Sequence, residues 1–84
     1  MFTITIYFYD YIAQKAEHVI LDKTYICPKN GFVDAFEWIE KNLKIPTDGH
    51  YEPDLIWGRY IWYRLDDDNH GYDNVYIEAA RVES

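Results

Sequence analysis

Residues 2–9 have the sequence FTITIYFY. Apolar side chains alternate with Thr and Tyr along this stretch, and most of its residues are β-branched or aromatic, which is the pattern of a β-strand that buries one face. The buried face carries Phe2, Ile4, Ile6 and Phe8. Because successive side chains of a strand point to opposite sides, Tyr7 and Tyr9 belong to the other face, together with two threonines.

The residues that follow predict a second strand and one helix. The strand occupies residues 18–27 and ends before Pro28, because proline cannot donate a hydrogen bond to a β-ladder. The helix occupies residues 30–44, with its N-cap at one of its first two residues, and Pro46 prevents its continuation. Apolar residues recur at helical spacing along one side of it: Phe32, Ala35, Phe36, Ile39 and Leu43. We expect this stripe to pack on the sheet.

Two more strands are predicted in the second half of the chain. Residues 55–65 (LIWGRYIWYRL) form the longer one, and residues 74–82 complete the order ββαββ. Gly58 interrupts the alternation of the longer strand. A bulge at this glycine would explain why Leu55 and Trp57 fall on one parity of the strand and Tyr60 and Trp62 on the other, because an extra residue moves the later side chains to the opposite face.

These elements predict one α+β domain over residues 1–84, with a four-stranded, mainly antiparallel sheet and one helix on one face. The order of elements resembles the ubiquitin-like β-grasp topology. The helix covers only one side of such a sheet, so the other side is left open. The aromatic residues that strand spacing can place there are Tyr7, Tyr9, Tyr76 and some of Tyr60, Trp62 and Tyr25.

Three interpretations of these aromatic residues remain open. They can be cross-strand pairs that stabilise a half-solvated sheet, a platform for a protein partner or for self-association, or a platform on which bases stack. The chain has nine tyrosines and three tryptophans, and 15 Asp and Glu against 8 Lys and Arg, for a net charge of −7. Nucleic-acid affinity comes largely from cations, so this charge disfavours base stacking and favours a basic protein partner.

The negative charge is concentrated in the second half of the chain. Residues 1–45 carry six acidic and five basic side chains, whereas residues 46–84 carry nine and three. Two acidic, His-containing stretches, 48–54 and 66–73, flank the predicted strand 55–65, which would span roughly 36 Å at about 3.3 Å per residue. That separation matches about one turn of duplex, 34–36 Å, so the two stretches could imitate phosphates. The predicted partner-binding residues are Tyr7, Tyr9, Glu52, Asp54, Trp62, Asp66, Asp67, Asp68, Tyr72, Asp73 and Tyr76.

Enzymatic, metal and membrane functions find little support in the sequence. Ser84 is the only serine, and Cys27 is the only cysteine, expected as a reduced and buried thiol, which fits a cytoplasmic protein. Residues 66–77 resemble a calcium loop at first, but the position of the bidentate glutamate is Ile77. We therefore expect no cofactor, no metal, no catalytic residue and, without an apolar run near 18 residues, no membrane span.

In size, charge and aromatic content the chain resembles several classes of small acidic inhibitor. These are phage anti-CRISPR, anti-restriction and glycosylase-inhibitor proteins, and the immunity proteins of nuclease toxins. The resemblance is one of general type. This resemblance implies a non-enzymatic inhibitor that blocks a basic, nucleic-acid-binding surface, in the host cytoplasm if a phage encodes it. It assigns no role to any single residue. The alternatives are a protein that homodimerises through its aromatic sheet face and an antitoxin.

Overall fold

The computed structural model describes residues 1–45, 55–57, 60–65 and 72–82, and only the backbone of residues 55–57, 62–65 and 72–74. The elements in chain order are β1 (Phe2–Asp10), β2 (Lys15–Tyr25), α1 (Pro28–Asn42), β3 (Leu55–Trp57), β4 (Tyr60–Leu65) and β5 (Tyr72–Arg81). No helix in the described part of the chain is long and apolar enough to cross a membrane.

The strands form one sheet in the order β2-β1-β5-β4-β3, and α1 packs against β1, β2 and β5. The predicted α+β class, with a single helix on an antiparallel sheet, is confirmed. All the described strand pairs are antiparallel, including the central β1–β5 pair. The sheet differs in this respect from the β-grasp, in which the first and last strands are parallel neighbours.

The predicted strand 55–65 consists of two strands, which makes the sheet five-stranded. Leu55 pairs with Trp62, and Trp57 pairs with Tyr60, so β3 runs back along β4. A bulge within one continuous strand is therefore the wrong interpretation of this segment. Gly58, to which that bulge was assigned, lies outside the described residues.

Helix α1 begins earlier than its apolar stripe indicates. Its N-cap is Cys27, which has extended backbone angles, and Pro28 is its first residue. Proline is favoured at this position, because its missing N–H has no partner in the first turn and its fixed φ suits a helix. The prediction of an N-cap at Asn30 or Gly31 was therefore wrong.

The core lies between α1 and the sheet. The buried helix stripe matches the predicted one in full: Phe32, Ala35, Phe36, Ile39 and Leu43. From the sheet, β1 and β5 supply Phe2, Ile4, Ile6, Phe8, Val75, Ile77 and Ala79. Helix and sheet approach closely at Gly31, where an added Cβ would lie 2.5 Å from the Ile4 side chain.

Candidate functional site

The side of the sheet opposite α1 forms the candidate site, which we call the open face. Residues paired directly across antiparallel strands place their side chains on the same side of a sheet. The described side chains of the open face are Thr3, Thr5, Tyr7, Tyr9, Ala16, His18, Ile20, Thr24, Tyr60, Tyr76, Glu78 and Ala80. In the described part of the chain, no element packs over it.

Strand β1 runs through the open face and carries the two tyrosines predicted for it. Tyr7 is 38% exposed, and Tyr9 is half-buried. Tyr7 lies opposite His18, with ring centroids 6.0 Å apart, and Tyr9 meets Tyr11 edge to face at 5.3 Å. These contacts hold the rings in place while leaving part of their surface available to a partner.

Strands β4 and β5 extend the aromatic surface on the other side of β1. Tyr76 pairs with Tyr7, and Tyr60, which is 41% exposed, pairs with Ala80. Trp62 occupies the register position opposite Glu78. The open face therefore includes the positions predicted at Tyr60, Trp62 and Tyr76.

The antiparallel pairing of β3 with β4 also explains the change of parity around Gly58. Trp57 pairs with Tyr60, and Leu55 with Trp62, so all four register positions belong to one face. Partly buried Ile61 packs against the core and marks the opposite side. The return of the chain, rather than a bulge, therefore accounts for this change of parity.

Tyr25, offered as a possible open-face ring, lies on the helix side instead. The register of β1 and β2 shifts between Thr3 and Thr5, and Tyr25 pairs with Phe2 of the core. Its buried ring donates a hydroxyl hydrogen bond to Asp34 over 2.8 Å. Burial, followed by this hydrogen bond and the charge of Asp34, raises the pKa of Tyr25 to about 12.

Glu78 lies half-buried at the centre of the open face. It pairs with Thr5 in β1, and it lies diagonally across the strands from Tyr7, whose position is two residues further along β1 on the same face. Burial and then the charge of Glu78 raise the pKa of Tyr7. The site therefore combines aromatic surface with a carboxylate whose charge acts on one of the rings.

Ile20 and His18 belong to the open face but were not singled out from the sequence. Ile20 is 62% exposed and pairs with Thr5. The run of apolar residues 19–21 hid their side of β2, and the structure separates them, since Val19 and Leu21 pack against the core. His18 pairs with Tyr7, and Ile20 pairs with Thr5, so both lie beside the tyrosines of β1.

The acidic stretches join the described sheet at one end rather than at two distant ends. Leu55 lies beside Trp62, so the start of β3 is only three residues, roughly 10 Å, from the end of β4 at Leu65. Residues 48–54 precede β3, and residues 66–71 follow β4. The continuous strand of roughly 36 Å, on which the expected separation of the two stretches rested, was therefore the wrong interpretation.

The acidic residues predicted to bind a partner are described only in part. Glu52, Asp54, Asp66, Asp67 and Asp68 lie outside the described residues. Tyr72 and Asp73 belong to β5, where they pair with Asp10 and Tyr9. Their backbone positions put both at the end of the sheet that the acidic stretches join.

The described side chains also bear on metal binding and on Cys27. Among them, no group of three His, Cys, Asp or Glu residues could hold a metal ion. Cys27 is a free thiol and is exposed, so its predicted burial was wrong. Its place before Pro28, at the N-cap of α1, carries it clear of the core.

Comparison of the chain with protein-family models, with characterised proteins and with solved structures returned no match. The arrangement of its own residues is what supports a function.

Proposed function

We propose that this chain is a small, non-enzymatic inhibitor that binds a basic surface of a partner protein through its open face. The observation that carries the proposal is an uncovered sheet face on which partly exposed tyrosines surround a carboxylate. Tyrosine supplies large and rigid contact area at low conformational cost and dominates many interface hot spots. A basic surface would complement Glu78 as well as the net charge of −7.

The acidic stretches have a different role in this proposal. Residues 46–54 and 66–71 carry six Asp and Glu side chains and no Lys or Arg, and both adjoin the same end of the sheet. Charges near the rim of an interface act mainly on the rate of encounter. We therefore assign steering to this acidic end and contact to the open face.

The target in this proposal is a nucleic-acid-handling enzyme, whose basic surface the acidic chain blocks in the manner of an anti-CRISPR or anti-restriction protein. Charge supports this target, whereas the phosphate-like spacing no longer does. The free thiol of Cys27 favours a reducing compartment such as the cytoplasm.

Photocrosslinking tests the proposal with two positions of similar exposure. A photoreactive benzoylphenylalanine replaces Tyr60 on the open face or, as the control, Val33, which is 45% exposed on α1. In nuclease-treated lysate, the residue at position 60 should capture a basic protein, and added DNA or RNA should suppress the adduct. Equal capture from position 33, or capture that nucleic acid does not affect, would contradict the proposal.

Self-association through the open face is the second candidate. Exposed Ile20 and Tyr60 favour it, because apolar and aromatic surface on one patch suits a symmetric dimer. In the same experiment a homodimer would give adducts of twice the chain mass from position 60. Sedimentation equilibrium over a range of concentrations would then show a dimer that Ile20→Lys dissociates.

A further inference from the structure

The carboxylate of Glu78 is surrounded by the groups that commonly recognise a cation. Tyr7 lies diagonally across from it on β1, and Tyr76 lies two residues away on the same face of β5. On the other side, Trp62 occupies the register position opposite Glu78 in β4, and Tyr60 lies two residues before it at a position of the same face. Aromatic rings attract a cation to their faces, and a carboxylate adds the opposite charge.

Three cations of the strands have described side chains, and all three lie away from this group. Lys15 pairs with Glu17 at 3.6 Å, Lys23 lies over the Tyr25 ring on the helix side, and Arg81 lies over the Phe2 ring. Among the described side chains, the polar neighbours of Glu78 on this face are therefore threonine and tyrosine. A cation from another molecule would complement them.

We propose that Glu78 and the tyrosines around it form a binding site for an arginine side chain of the partner protein. The guanidinium group pairs with the carboxylate and stacks on the neighbouring rings. Arginine suits the site better than lysine, because its planar group donates in a fork and stacks on aromatic faces. This inference rests on the proposed function and names the chemistry that the open face recognises.

A monovalent probe separates this site from the general attraction between an acidic chain and cations. The probe is N-acetyl-arginine methylamide, compared with the corresponding citrulline and lysine compounds. Citrulline has nearly the same shape as arginine but carries no charge. Titrations followed by amide chemical shifts should show saturable shifts around Tyr7, Tyr76 and Glu78, with arginine about five-fold tighter than citrulline and tighter than lysine.

The matched variants are Glu78→Gln and Glu37→Gln, which remove the same charge from the open face and from the exposed side of α1. Glu78→Gln should reduce the ratio of arginine to citrulline affinity to about one, whereas Glu37→Gln should leave it unchanged. Shifts that concentrate at Asp10 and Tyr72, at the acidic end, would overturn the proposal. An equal fall in the ratio of arginine to citrulline affinity in both variants would overturn the proposal as well.

Arg64 provides the remaining control, because its register position opposite Tyr76 puts it on the same face. If the preference for arginine is present in wild type and persists in Arg64→Gln, the site accepts a cation from outside. If it emerges only in Arg64→Gln, the chain fills the site itself and the proposal fails. Crosslinking from position 60 is independent of this outcome, so failure of the arginine site and failure of the docking face are distinguishable.

Discussion

At the scale of single residues, Tyr25 shows how a side chain joins the helix to the sheet. Its ring is buried, its hydroxyl donates to Asp34 of α1, and Lys23 lies 5.5 Å from its centroid. Lys23 also lies 3.8 Å from the Asp34 carboxylate. The three groups connect β2 to the first half of the helix at the edge of the core.

The raised pKa of Tyr25 predicts a loss of stability in alkali. The protonated phenol is favoured in the folded state, so this contribution is complete below the unfolded value of 10.0 and is lost as the pH rises toward about 12. Urea unfolding between pH 9 and 12 should show wild type losing up to about 1.4 kcal/mol per pH unit more than Tyr25→Phe. Parallel curves for the two proteins would contradict the prediction.

At the scale of elements, the packing of α1 on the sheet depends on Gly31. An added Cβ would meet Cγ1 and Cδ1 of Ile4 at 2.5 Å and the Tyr25 ring at 3.1 Å. Ile4 is fully buried, so its side chain has little room to move. The close approach explains why a residue of low helix propensity lies within the first turns.

Gly31→Ala should therefore destabilise the protein although alanine favours helices. Overpacking costs about 1–3 kcal/mol, against a gain of about 1 kcal/mol from helix propensity. Chemical denaturation should show a net loss of stability. Val33→Ala, on the exposed side of the same helix, should change stability by less than about 0.5 kcal/mol. A Gly31→Ala protein more stable than wild type would show that the helix can move away from Ile4 at no cost.

At the scale of the whole molecule, the proposed function assigns contact to the open face and steering to the acidic end. The open face combines tyrosines, Ile20 and Glu78, while six acidic residues lie in the two stretches that adjoin one end of the sheet. This distribution of acidic side chains repels the phosphates of a nucleic acid. The net charge of −7 acts against any nucleic acid that approaches the face.

The isolated protein should therefore bind neither duplex DNA nor single-stranded RNA at physiological salt. Fluorescence anisotropy with labelled oligonucleotides measures this directly. A second titration at low salt tests for binding under the condition in which cationic side chains bind nucleic acid most tightly. Micromolar affinity in either titration would favour a base-stacking role for the open-face tyrosines over a protein-binding one.

The sequence by itself determined the α+β class, the core side of β1 and the buried stripe of α1. Each of these follows from local periodicity, because the spacing of apolar residues within one element reports which side of that element is buried. The alternation in residues 2–9 does so for β1, and the helical spacing from Phe32 to Leu43 does so for α1. The place of Tyr7 and Tyr9 on the uncovered side follows from the same alternation.

Only the tertiary structure decided which strands are neighbours. A bulge at Gly58 and an antiparallel return of the chain fit the same local pattern, and the pairing of Leu55 with Trp62 selects the return. The register shift in the β1–β2 pair likewise sends Tyr25 to the core. Periodicity reports the exposure of a side chain but not its cross-strand partner. The approach of Glu78 to Tyr7, and the position of the start of β3 beside the end of β4, therefore depended on contacts between residues distant in sequence.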